Sequence, residues 1–140
     1  MNAHSISWEP AHTNLRSPPQ ALKPDSLFLH HATLHTASGA HPLFLHIANR
    51  FTTRLRGLML APPLAHDEGL LLTRCSSVHS AFMRQDIDVI YLDRSDRVVR
   101  CVPTLKPWRA SMAWNASQVL ELAAGSIIRY QLTPGDRLQR

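Results

Sequence analysis

The stretch Ile87-Asp88-Val89-Ile90-Tyr91-Leu92-Asp93 decides the fold. Its apolar run is nearly unbroken and rich in β-branched and aromatic residues, the pattern of a central strand covered on both faces. Asp88 interrupts the run, and a carboxylate buried there needs a partner. Directly upstream, Cys75-Ser76-Ser77-Val78-His79-Ser80-Ala81-Phe82-Met83-Arg84 is polar and carries a thiol, an imidazole and a guanidinium. A potentially reactive loop therefore runs straight into a buried strand.

Downstream of the central strand, Arg94-Ser95-Asp96-Arg97 reads as a turn, with Asp96 tolerant of left-handed geometry. Residues 98–102 return as the hairpin partner. Residues 103–118 form a long irregular connection holding Trp108 and Trp114, and long loops in compact domains are often functional. A strand at 119–122 follows, then a short helix at 126–132 closed by Pro134-Gly135-Asp136, and a last short strand starting at Leu138.

Upstream, residues 69–73 make a short apolar strand. Residues 52–60 switch period: Leu55, Leu58 and Met59 share one face of a short helix that Thr52 or Thr53 can cap and Pro62-Pro63 ends. Residues 27–36 and 42–49 read as two strands around Ala37-Ser38-Gly39-Ala40, where Gly39 offers the positive φ of a tight turn. With Ser38-Gly39 as the turn, His31 falls opposite His46. Two histidines are too few for a metal site, and no metal or other cofactor is expected. Residues 1–25 hold four prolines and few large apolar side chains, so they read as a disordered Pro-rich tail before one globular domain at 26–140. The fold class is mainly β: a compact β-barrel or sandwich of mostly antiparallel strands with one or two short helices.

Composition narrows the classes of function. The hydrophobic fraction of 44% is that of an ordinary globular protein. No apolar run approaches the roughly 20 residues of a membrane span, and no signal-peptide core opens the chain, so a cytoplasmic location and no membrane partner are expected. The formal charge of +5 is spread over scattered arginines, without an aromatic-interleaved basic stripe or a helix-turn-helix signature. A basic nucleic-acid-associated protein is the third-ranked reading. The two cysteines, Cys75 and Cys101, are expected to be free thiols.

Several short boxes, taken in order, resemble one family. Arg54-Leu55-Arg56-Gly57-Leu58-Met59, Gly69-Leu70-Leu71-Leu72, Phe82-Met83-Arg84 with the central strand, Val119-Leu120-Glu121-Leu122 with Gly125, and Pro134-Gly135-Asp136 are similar to the successive boxes of the bacterial and archaeal family catalogued as domain of unknown function 192. The likeness covers about residues 42–138. It implies a compact, mostly β fold with short helices and implies no activity. Many members carry Trp-Met-Lys-Asn-Thr where this chain has Phe82-Met83-Arg84-Gln85-Asp86, and the usual Asp-Gly turn is Ser95-Asp96 here.

The residues themselves suggest two chemistries. A binding module for a small ligand or a protein needs a cleft with a few convergent polar groups. That cleft is expected near Arg54, Arg56, Cys75, His79, Met83, Arg84, Asp88 and Trp108, with an arginine as anion clamp. The alternative is a hydrolase or transferase in which Cys75 is the nucleophile and His79, four residues on, its base. That pairing requires a turn or helix, because on an extended strand the two lie roughly 13 Å apart at about 3.3 Å per residue. Asp88 and Glu121 are the carboxylates expected inside, each held by an arginine or backbone N–H. Glu121 alternates with Leu120 and Leu122, so it can equally face solvent.

Overall fold

The computed structural model describes residues 28–48 and 63–140. Nine strands run through them: β1 (Phe28–Thr36), β2 (Gly39–Ala48), β3 (Glu68–Thr73), β4 (Ser77–His79), β5 (Ile87–Leu92), β6 (Val98–Leu105), β7 (Ala110–Met112), β8 (Gln118–Ala123) and β9 (Arg137–Gln139). One short helix, α1 (Ser126–Tyr130), lies between β8 and β9. The expected tail at 1–25 and the expected helix at 52–60, with Arg54 and Arg56, lie outside the described residues.

Seven strands form one sheet in the order β6-β5-β8-β3-β2-β1-β9, and β4 pairs with β7 in a second, small sheet. Only the β2–β3 pairing is parallel among the described ladders. The large sheet curls until its two edges touch. Arg97 bridges Arg137, the Val98 N–H donates to the Asp136 carbonyl at 2.8 Å, and the Leu138 N–H donates to the Asp96 carbonyl at 2.9 Å. Curling gives the sheet a concave side, and every one of the seven strands sends side chains there. Leu34, Leu45, Leu71, Ile90, Val98, Leu120 and Leu138 belong to this inner cluster. A second cluster covers the outer side with Leu70, Leu72, Val89, Tyr91 and Val119, and with Val78 from β4. The central strand β5 is thus buried at all six positions, as its sequence requires.

Asp88 finds its partners in backbone amides. Its carboxylate accepts the Thr104 N–H at 2.9 Å and the Ile127 N–H at 2.8 Å. The first bond holds the irregular register between Ile87 and Val89 opposite β6. The second caps α1, whose own N-cap Gly125 has no side chain to do so.

Three expectations are corrected. The β1–β2 turn is Ala37-Ser38, with Thr36 opposite Gly39, so His31 faces Phe44 and His46 faces Leu29. Tertiary contacts set that turn: the hydroxyls of Thr36 and Ser38 each donate to the Tyr130 carbonyl at 2.7 Å. The stretch read as irregular at 103–118 instead continues β6 to Leu105 and then forms β7. Pro103 is tolerated because β6 is an edge strand of the large sheet. The loop read at 75–84 contains β4.

Gly69 carries a packing constraint. A Cβ there would meet Leu122 Cδ2 at 2.9 Å, Leu120 Cδ1 at 3.0 Å and Leu45 Cδ2 at 3.1 Å. Gly69→Ala is therefore expected to cost about 1 kcal/mol in a urea melt, the overpacking of a filled interior tempered by movable leucine tips. A stabilised variant would show that the interior has spare room.

Candidate functional site

The small β4–β7 sheet lies on the outer face of the large one. Val78 and Ala113 pack down into the outer cluster, while Ser77, His79, Ala110 and Met112 face outward. Its far end is tied by Ser80, which is fully buried. The Ser80 N–H donates to the Arg109 carbonyl at 2.8 Å, and the Ser80 carbonyl accepts the Trp108 and Met83 amides. Its hydroxyl lies 2.5 Å from the Lys106 carbonyl and accepts the Arg109 N–H at 2.9 Å. One small polar residue thus holds the 80–83 and 106–109 turns together.

Those two turns push two aromatic rings into solvent. Phe82 has φ 62° and Trp108 φ 61°, a left-handed conformation that costs a bulky residue roughly 1–3 kcal/mol. The rings are 62% and 61% exposed and meet edge to face with centroids 4.6 Å apart. Exposed Lys106 and Arg109 belong to the second turn and exposed Arg84 directly follows the first, and the Arg109 guanidinium donates to the Trp108 carbonyl. Two strained, exposed aromatics among cations do not stabilise the fold in any evident way.

Beneath the small sheet, the outer face of the large sheet is unexpectedly polar. Register places His46, Leu70, Glu121 and Val89 in one row across β2, β3, β8 and β5, with Tyr91 on the same face of β5. His46 Nε2, Tyr91 OH, Glu121 Oε2 and Ser111 Oγ are buried without a hydrogen-bond partner. Burial pushes the Glu121 carboxyl up to about 7 and pushes the His46 imidazole down, with the Glu68 carboxylate partly offsetting the latter. The Tyr91 phenol is raised chiefly by burial. Ser111 and Arg100 pull it back, and Cys75 and Glu121 add to the rise. Ser111 is close enough to influence Tyr91, yet neither oxygen meets hydrogen-bond geometry, and direction as well as proximity decides a hydrogen bond. Glu121 therefore does not face solvent: Val119, two residues earlier on the same face, is buried too, and that is the sequence signal for an outer layer.

The residues singled out from sequence fall in different places. Trp108 forms the aromatic corner with Phe82, Arg84 is exposed two residues after Phe82, and His79 lies exposed on the outward face of β4. Met83 is buried in the outer cluster, and Asp88 is fully engaged inside. Cys75 donates its thiol to the Ser77 carbonyl at 2.9 Å, and no hydrogen bond joins it to His79 on the extended β4. Both cysteines are free thiols. Burial, then Asp136 and Asp88, push that of Cys101 up to about 11. Among the described residues no group of three or more His, Cys, Asp or Glu side chains is placed to hold a metal ion, and no helix is long and apolar enough to cross a membrane. Ser80, Phe82 and Tyr91 are the site residues that sequence reasoning did not single out, while Glu121 was expected inside but with a partner that its Oε2 lacks. Phe82 was legible only as part of a family-like box, and Ser80 carries no local signal, since its role depends on a turn almost thirty residues away.

Comparison with known proteins places these features in context. A family model described as Uncharacterized ACR, DUF192, matches residues 33–140. The UPF0127 protein of Thermococcus kodakarensis is 40% identical over 95 residues, which are 64% of this chain and 60% of that protein. That of Pyrococcus furiosus is 36% identical over 66% of this chain and 82% of its own length. The chain thus spans about three fifths of the length of the first of these archaeal relatives. Among solved structures, a protein of unknown function from Novosphingobium aromaticivorans superposes with TM-score 0.75 at 22% identity, covering 80% of this chain and 85% of that one. A protein from Sinorhizobium meliloti described as a candidate transcription regulator gives TM-score 0.77 at 26% identity, covering 84% and 97%.

Proposed function

We propose that this chain, which belongs to the uncharacterised family DUF192, is a binding module whose partner docks on the Phe82–Trp108 corner. The supporting observation is the pair of exposed aromatic rings held at left-handed backbone by the buried Ser80. Strain retained at two neighbouring surface positions is understood when the rings are needed there for contact. Aromatic anchors with arginine beside them are the usual centre of a binding surface. The surrounding cations, Arg84, Lys106 and Arg109, select a protein segment that offers an apolar side chain flanked by carboxylates. Catalysis by Cys75 and His79 draws no support from this geometry, since the thiol is engaged by Ser77. The free thiols suit a reducing cytoplasm.

Binding of an array of short peptides, each with one aromatic or aliphatic anchor and either acidic or basic flanks, tests the reading. Acidic-flanked peptides are expected to bind, less tightly as salt rises, and about tenfold or more weakly to Trp108→Gly, the loss typical of a hot-spot aromatic. Glycine accepts φ near 60° without strain, so Phe82→Gly and Trp108→Gly should each keep folding stability within about 1 kcal/mol of the parent. A large loss of stability would make the rings structural, and equal binding of both peptide classes would remove the charge argument. The Sinorhizobium protein's description, with the basic composition here, favours a second reading, since exposed aromatics among cations also suit single-stranded nucleic acid. Oligonucleotide binding that Trp108→Gly weakens, with no peptide binding, would replace the first reading by this one.

A further inference from the structure

We infer a separate oxyanion site, for a phosphate monoester or a comparable multiply charged oxyanion, in the pocket between the end of β3, the β5–β6 turn and the start of β8. The pocket has a volume of ≈ 550 Å³, and its lining includes Arg74, Arg94 and Arg140 together with the hydroxyl residues Ser76 and Ser117. Among the described residues, none of those lining it is acidic. This volume lies within the range of small-molecule sites, roughly 300–1,000 Å³.

Three features make the pocket a built site. Its walls are joined by backbone bonds: the Cys75 N–H donates to the Ser117 carbonyl at 3.0 Å, and the Ser117 N–H donates to the Leu92 carbonyl at 2.8 Å. The backbone of the site is therefore preformed, and on binding only the arginine side chains have to be ordered. Asp96 is bonded to two of the lining residues and is not itself part of the lining. It sits at φ 60° and accepts both the Gln118 amide at 2.6 Å and the Arg140 guanidinium at 3.0 Å. Its carboxylate thus aims a cation and an amide without entering the cavity. Finally, the donor set is guanidinium forks plus hydroxyls, which matches the several oxygens of a tetrahedral oxyanion better than it matches a halide. A concave wall of one sign of charge also concentrates such anions from solution.

Isothermal titration and thermal melts of the full chain with inorganic phosphate and with glycerol phosphate, against chloride at equal ionic strength, test this. Both phosphates are expected to bind and to raise Tm where chloride does not. Arg94→Gln and Arg74→Gln should each weaken binding about tenfold or more, the loss of one charge-assisted contact. Both arginines are exposed, so both variants should fold. Phe82→Gly should bind phosphate like the parent, which separates this site from the aromatic corner. Absence of a phosphate response, or binding by both arginine variants as tight as the parent's, would overturn the inference.

Discussion

Replacing Glu121 by glutamine is expected to stabilise the protein by about 3 kcal/mol at about pH 8 and to leave stability unchanged at about pH 4. The carboxyl is 4% exposed and one of its oxygens lacks any hydrogen-bond partner. Burial lifts its pKa from 4.5 to about 7 in the folded chain. The folded state then holds the proton more tightly than the unfolded state does. The favourable contribution of the neutral carboxyl is complete below the unfolded value of 4.5. It falls as the pH rises toward the folded value of about 7, and it is lost above that. Glutamine has nearly the same shape and never ionises, so it removes the alkaline loss alone. Urea midpoints of parent and Glu121→Gln should coincide below the unfolded value of 4.5, separate as the pH rises toward about 7, and keep a constant gap above that. Parallel curves would mean that Glu121 is paired or hydrated in solution. The same titration bears on function, because Glu121 acts on Tyr91 under the β4–β7 layer, and charging it places an unpaired anion beneath the strands that carry the aromatic corner.

Ile90→Ala is expected to cost about 2–5 kcal/mol, the price of a cavity in a core that cannot collapse around it. Ile90 is completely buried, opposite Leu120 on β8 and Cys101 on β6, in the cluster fed by all seven strands. His79→Ala should cost about 1 kcal/mol or less, since the side chain faces solvent from β4 and its hydrogen bonds can pass to water. Denaturant melts of the two variants read the contrast. A His79 variant as unstable as the Ile90 variant would make the histidine a structural residue and would tie the small sheet to the core far more tightly than its outward face suggests.

The legible part of the structure is the part set by local pattern. Strand β5 has apolar residues at consecutive positions, which only a strand covered on both faces can bury. Strand β8, helix α1 and the final strand β9 likewise follow from runs and turns within a few residues of each other. Asp88 inside an apolar run required partners, and backbone amides supplied them.

What the sequence determined alone was therefore the fold class, the doubly covered centre, and the family resemblance that the match over residues 33–140 bears out. Tertiary structure alone decided the rest. The three-residue strands β4 and β7 are too short to have a period, and they exist because they pair with each other over an apolar floor. The β1–β2 turn sits where the Tyr130 carbonyl anchors two hydroxyls, and turn propensity could not choose that position. Glu121 is buried because a second layer lies over its face of the sheet, and alternation within β8 is the same whether that face is covered or wet. Phe82 and Trp108 point outward because one serine couples two distant turns. Contacts made across long sequence separations select these features, while propensity acts only over a turn or two of chain.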